Sequence, residues 1–191
     1  MSDFEKEFDA LMQERRAWMQ ENYKRTLPSG ELIYNRFQKA RDLGFGEGSS
    51  IYDTSVVMGE VRVGEHVWIG PYTLLDGSSG ELEIGDFVSI DSGVQIYTHD
   101  STRHYVSGGK MPFENGPVSI GSNTVIGSMS MIACGVTIGS HCVVAAHSFV
   151  NRDLPDWSIA AGCPARVIGR VKELEDGTVE FVYDSDKSRE Q

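Results

Sequence analysis

Residues 118–150 read VSIGSNTVIGSMSMIACGVTIGSHCVVAAHSFV. An aliphatic residue stands at every sixth position: Ile120, Ile126, Ile132, Ile138, Val144 and Val150. Gly follows at 121, 127 and 139, and a small or β-branched residue comes four places after the beat, at Thr124, Ser130, Val136, Cys142 and Ser148. A six-residue unit is one short strand plus one turn. Three such units make a triangular coil with the aliphatic residue pointing inward. Stacked coils align those residues into ladders that no single coil could bury alone. Gly, Asn, Asp and His at the corners tolerate the tight bends and positive φ that the turns need.

Upstream the same beat runs through Ile51, Val57, Val63, Ile69 and Leu75. It slips by three residues at Ser78-Ser79-Gly80 and returns at Ile84, Ile90 and Ile96. Residues 102–117 (TRHYVSGGKMPFENGP) break it and are rich in Gly and Pro. That stretch reads as an excursion loop, and loops carried on a rigid scaffold are where function concentrates.

Ahead of the repeat, Phe4, Phe8, Leu11, Met12, Trp18 and Met19 follow helical spacing until Pro28-Ser29-Gly30 stops it. A second helix is expected from Glu31 to Asp42, with Leu32, Ile33, Phe37 and Ala40 on one side. The apolar stripe of the first helix must pack on something, the main domain or a partner. After the repeat, Asp176-Gly177 between two alternating runs signals a hairpin in the charged tail. The expected division is a helical appendage over 1–49, the repeat domain over 50–171 and a short tail over 172–191.

Composition narrows the function. Seventeen Lys and Arg against 28 Asp and Glu leave a net charge of −11. Such a surface repels phosphate backbones, so a nucleic-acid partner is not expected. The 21 Gly, about 11% of 191 residues, exceed the usual share of roughly 7% and point to many tight turns. Cys134, Cys142 and Cys163 have neither metal-ligand spacing nor an even count, which suits a reducing compartment. The charged N-terminus has no secretory h-region, and no run of about 18 apolar residues spans a membrane. A cytoplasmic location is expected.

The fourteen-unit repeat resembles the hexapeptide-repeat acyltransferases, and its C-terminal coils resemble galactoside and maltose-type sugar O-acetyltransferases. The resemblance covers roughly residues 50–170. It implies an all-β main domain, a left-handed parallel β-helix with an excursion loop, an N-terminal α-helical appendage and a short C-terminal tail. It also implies acetyl-CoA (coenzyme A) as donor substrate, no metal, and a homotrimer whose donor groove lies between neighbouring subunits.

Acyl transfer from a thioester to a hydroxyl needs a base near neutral pH, and imidazole suits it. His99, in Gln95-Ile96-Tyr97-Thr98-His99-Asp100, stands just before the loop and upstream of Pro117-Val118-Ser119-Ile120-Gly121, as the catalytic His does in the resembling enzymes. The resemblance carries further roles residue by residue. Ser128 matches a contact to the pantetheine arm, and Ala146 a small corner residue that lets the arm approach the backbone. Asn151 and Arg152 match a Thr-Lys pair near the donor. Arg166 matches a basic residue at the nucleotide phosphates, and Arg170 lies one place beyond a second basic position. Asp76 stands where related enzymes have an acidic residue touching a sugar hydroxyl. His104, in the loop, is a candidate to position substrate. No Cys or Ser lies beside His99 as a covalent nucleophile, which favours direct transfer.

The reading is an acetyl-CoA-dependent O-acetyltransferase acting on a sugar, nucleotide-sugar or glycan hydroxyl, as in polysaccharide biosynthesis. N-acetylation of an amino sugar is the near alternative. Two other classes are open: a metal hydratase resembling gamma-type carbonic anhydrases, and a non-catalytic β-helix assembly module. His99 and His104 share the hydratase HxxxxH spacing, but His66 lies thirty-three residues upstream of His99, which is not a whole number of coils.

Overall fold

The six-residue beat becomes three stacks of short parallel strands in the computed structural model, which describes residues 2–184. Face one stacks Ser50–Ile51, Trp68–Ile69, Ser89–Ile90, Val125–Ile126, Val143–Val144 and Ser158–Gly162. Face two aligns Val56, Leu74, Gln95, Met131 and Phe149. Face three aligns Val61, Leu82 and Val118, with Ser119 beside Thr137 and a last bridge from Ile138 to Leu154. The strands Val56–Val63 and Leu74–Ile84 bend around the corner and belong to two faces at once.

The register displays the two sequence irregularities. Val125 pairs with Val143 and Met131 with Phe149, each eighteen residues on, which is one coil. Trp68 pairs with Ser89, so the three-residue slip is absorbed within the second coil. Ser89 pairs with Val125 and Gln95 with Met131, thirty-six residues on, so the excursion adds eighteen residues to the third coil.

The inward aliphatic residues are buried on every face: Ile69, Ile90 and Ile126 on the first, Leu75, Ile96 and Ile132 on the second, Ile84, Ile120 and Ile138 on the third. Each contributes about 1.5–3 kcal/mol by leaving water. The small residues four places after the beat are buried too, and their hydroxyls serve the corners. Ser130 Oγ donates to Ala145 O and accepts from Ser148 N, and Thr124 Oγ1 donates to Gly139 O and accepts from Cys142 N. Buried polar atoms with such partners cost little. The corner between faces three and one takes left-handed φ at His66, Phe87, Asn123, His141 and Trp157. Large rings are unusual in that region. Here the turn dictates the backbone and the rings stack along the outside, with His141 lying 3.9 Å from Trp157 at 6°.

Three helices precede the coils: α1 (Asp3–Tyr23), α2 (Ser29–Ile33) and α3 (Arg36–Asp42). The single helix expected over 31–42 is two, because Tyr34 is extended and the Asn35 side chain caps a new start by accepting from Phe37 N and Gln38 N. Ala40 and Phe45 join the core. Lys39 Nζ donates to the carbonyls of Tyr52, Asp53 and Ser55, closing the open end of the first coil. An end cap is what a stack of coils requires. The stripe on α1 is different: Met12 is buried, but Phe4, Phe8, Leu11 and Trp18 remain 40–74% exposed.

At the other end Ala165–Glu173, expected inside the repeat domain, runs antiparallel to Ser158–Gly162. It forms a hairpin with Val179–Tyr183 around Asp176-Gly177. The last residues of the tail, 185–191, lie outside the described residues. Among the described residues no helix is long and apolar enough to cross a membrane.

Candidate active site

The excursion leaves the coil earlier than the sequence suggests. Its base is a two-stranded antiparallel ladder of His99–Asp100 against Glu114–Asn115, so His99 belongs to the base of the loop rather than to the coil. The short helix α4 (Thr102–Val106) follows. Asp100 starts it by accepting from Thr102 N at 2.7 Å. The Thr102 hydroxyl and N–H hold the Asp100 carboxyl below its ordinary value. Arg103 pairs with Glu114 at 2.7 Å across the loop.

His99 and Asp76 meet at the corner between faces two and three. Asp76 stands beside Tyr97 in the register of consecutive coils. His99 Nδ1 lies 2.9 Å from Asp76 Oδ2, within ion-pair distance, and neither buried atom meets hydrogen-bond geometry with any partner among the described residues. Asp76 Oδ1 accepts from Ser78 N at 2.9 Å, and Thr98 Oγ1 accepts from Ser79 N. The three-residue slip therefore folds onto the third coil and holds the carboxylate from behind. Gly77 permits this, since a Cβ there would stand 2.1 Å from Glu60 O.

Asp76, expected to touch a sugar hydroxyl, is 0% exposed. Its two oxygens face the slip and the imidazole rather than solvent. The His99 side chain is 29% exposed. An imidazole whose Nδ1 proton faces a carboxylate keeps its lone pair on Nε2. That arrangement can take a proton from a hydroxyl.

Rings frame the histidine. Phe113 stacks on His99 at 6.1 Å and 16°, and Tyr97 meets it edge-on at 6.2 Å. His104 stands edge-on to Phe113 at 4.9 Å. Its Nδ1 lies 2.7 Å from Met111 O, which only accepts, so the proton is on Nδ1 and Nε2 is bare in the neutral ring. The structure thus brings His104 to the cluster around His99. Phe113 went unnoticed in the sequence, because a ring in an aperiodic loop gives no positional signal.

One coil further along the same corner, Cys134 is half-buried. Burial first, then the Asp100 and Glu114 carboxylates, push its thiol above the ordinary value. It is a thiol and not a thiolate at neutral pH, hence a poor nucleophile.

The donor candidates fall on different edges of one chain. Ser128 and Ala146 share the corner between faces one and two, where His147 N donates to Ser128 O. Arg166 reaches that edge, since it pairs with Ala161 and neighbouring Gly162 N donates to Ser148 Oγ. Asn151 and Arg152 follow Phe149–Val150 and lie on the His99 corner, across face two. Arg170 pairs with Ser158 at the far end of the hairpin. Ala146, Asn151, Arg152, Arg166 and Arg170 are exposed, and Ser128 is half-buried. Among the described residues no group of three His, Cys, Asp or Glu side chains is disposed around a metal position.

Residues 117–152 match the family described as bacterial transferase hexapeptide (six repeats). The galactoside O-acetyltransferase of Escherichia coli is 32% identical over 132 residues, 59% of this chain and 65% of that protein. A hexapeptide-repeat acetyltransferase of Vibrio cholerae superposes with a TM-score of 0.61 at 29% identity, over 87% of this chain and 94% of that one. A structure of it complexed with acetyl coenzyme A gives 0.53 at 27%, over 91% of this chain and 100% of that one. A maltose O-acetyltransferase of Clostridium difficile gives 0.56 at 27%, over 85% and 89%. The chain spans 37% and 55% of the length of the first two curated relatives it matches, acetyltransferases named as probable or putative from Mycobacterium tuberculosis and Staphylococcus aureus. In its repeat, its parallel coils and these relatives, the chain is similar to the hexapeptide-repeat acetyltransferases, and residues 117–152 carry that family's repeat.

Proposed function

We propose that the protein is an acetyl-CoA-dependent O-acetyltransferase whose acceptor is a hydroxyl of a sugar, nucleotide-sugar or glycan. The observation that carries this reading is the contact of His99 Nδ1 with the buried carboxylate of Asp76 at the mouth of the loop. Nε2 takes the hydroxyl proton as the acceptor oxygen bonds to the acyl carbon. The carbon–sulfur bond breaks, and the same proton passes to the departing sulfur. Asp76 orients the ring and offsets the positive charge that it gains, the role a buried carboxylate plays beside other catalytic imidazoles. With Cys134 protonated, transfer is direct.

The coils are left-handed and the chain works as a homotrimer. Face two is apolar on its outside, with Val56, Met58 and Met131 40–51% exposed, whereas face three carries Arg62, Glu81 and Glu83. A cyclic assembly covers such a face. It also sets the Ser128, Ala146 and Arg166 edge of one copy against the His99, Asn151 and Arg152 edge of another. The groove between them is the donor site, with Arg170 at its outer end and His104 on the acceptor side. The helical segment of 1–49 is the end cap, the repeat segment 50–171 carries the site, and the described part of the 172–191 tail forms the outer rim.

The test is release of coenzyme A thiol from acetyl-CoA on addition of a panel of mono- and oligosaccharides and nucleotide sugars. Release that depends on both a hydroxyl acceptor and His99 supports the reading. Release only with amino sugars assigns N-acetylation instead.

A further inference from the structure

Away from His99, the helices and the first coil enclose a pocket of about 270 Å³. Its walls include Trp18, Tyr23, Tyr34 and Tyr52, with Arg25 and Arg36 among them. Trp18 and Tyr23 meet edge-on at 5.3 Å and stay half-exposed, with nothing among the described residues covering them. Arg36 is fixed in place: its guanidinium lies 5.0 Å over Phe37 and 5.6 Å over Tyr52, and it donates to the Tyr52 hydroxyl at 3.3 Å.

The charges are informative. The carboxylate among these walls, Glu31, is buried and accepts from Thr54 N and Oγ1. The nearby Lys39 is taken up by three carbonyls and Asp53. Arg25 and Arg36 have no carboxylate partner among the described residues, in a chain of net charge −11. Arg15 lines the adjoining end of the same cleft. Exposed ring faces take a planar heterocycle by stacking, and guanidinium groups take phosphate oxygens. An uncharged sugar would leave the arginines without a role. The volume, near the lower end for ligand sites, suits one ring-bearing moiety and not a whole extended molecule.

Position adds a second argument. Tyr52 opens the corner between faces one and two. Backbone bonds continue that corner downward, with Gly93 N donating to Pro71 O, Met129 N to Ser92 O and His147 N to Ser128 O. The pocket therefore stands at the head of the edge that carries Ser128 and Ala146. We infer that this cleft binds the nucleoside diphosphate of an acceptor, which makes the acceptor a nucleotide-linked sugar. The inference rests on the acyl-transfer reading for the word acceptor; the binding itself does not.

Isothermal titration of the full chain, without acetyl donor, tests it with UDP, dTDP, ADP, free glucose and coenzyme A. A nucleoside diphosphate is expected to bind and glucose is not. Trp18→Ala and Arg36→Ala should each weaken that binding about tenfold or more, the effect of losing one stacking or charge-assisted contact. Trp18 lies on an exposed helix face, so its variant keeps the fold, as circular dichroism will show. Arg166→Ala should leave UDP and dTDP binding unchanged. The inference is overturned if no nucleoside diphosphate binds at millimolar concentration, or if binding is the same in both cleft variants. It is also overturned if coenzyme A affinity falls tenfold in Trp18→Ala, which would make the cleft the donor's. Failure of the acyl-transfer reading shows separately, as absence of thiol release with every acceptor.

Discussion

His99 and Asp76 come from consecutive coils, yet Nδ1 of one lies 2.9 Å from Oδ2 of the other at a fully buried carboxylate. The contact exists because the three-residue slip of the second coil and the eighteen-residue excursion of the third occur at the same corner. Asp76→Asn keeps the shape and removes the charge. It should lower kcat by about 10- to 10³-fold with little change in the KM for acetyl-CoA, since an orienting group acts mainly in the transition state. Steady-state kinetics decide it; an unchanged kcat would reduce Asp76 to a structural residue.

For His99 itself the expected loss is larger. His99→Ala should reduce kcat by roughly 10²–10⁴ while acetyl-CoA binding, followed by calorimetry, stays near wild type. Turnover close to wild type would remove the general-base assignment and point to His104 or to an amine acceptor.

Arg166 is predicted to serve donor binding alone. Arg166→Ala should raise the KM for acetyl-CoA more than it alters kcat, because a remote phosphate contact is shared by ground and transition states. A donor lacking the 3′-phosphate is the control. Equal losses for both donors would show that Arg166 does not read that phosphate.

Cys134 should be inert despite its place one coil from His99. Its thiol titrates above its ordinary value, so the thiolate that reacts is scarce at neutral pH and grows only as the solution turns strongly basic. Iodoacetamide labelling followed by mass spectrometry should be slow at pH 7 and accelerate with alkali, and Cys134→Ala should retain activity. Loss of transfer in that variant with the fold intact would argue for a covalent intermediate.

Assembly is the last test. Light scattering should give about three times 21.1 kDa. Mixing inactive His99→Ala with a variant inactivated on the Ser128 and Ala146 edge should restore activity, because some grooves in mixed trimers then carry both intact edges. A monomer with full activity would discard the shared groove.

The core ladders and the short strands were legible in the sequence because burial inside a narrow prism forces an aliphatic residue at every sixth position. Ile120, Ile126, Ile132 and Ile138 announce a coil before any coordinate does, and His99 stands out as the imidazole beside the one long break in that beat. Their information is local and periodic. What Asp76 does was not legible. Burial at a corner depends on which coil stacks over which, and the slip and the loop shift that register by three and eighteen residues. The same holds for the exposed stripe on α1, since helical spacing reveals a stripe but not what covers it. The division of Ser128 and Ala146 from Asn151 and Arg152 across face two is likewise a matter of which corner each turn occupies. Sequence periodicity determined the coil; the stacking of coils decided which side chains meet, because contact between distant residues is set by register and not by residue type.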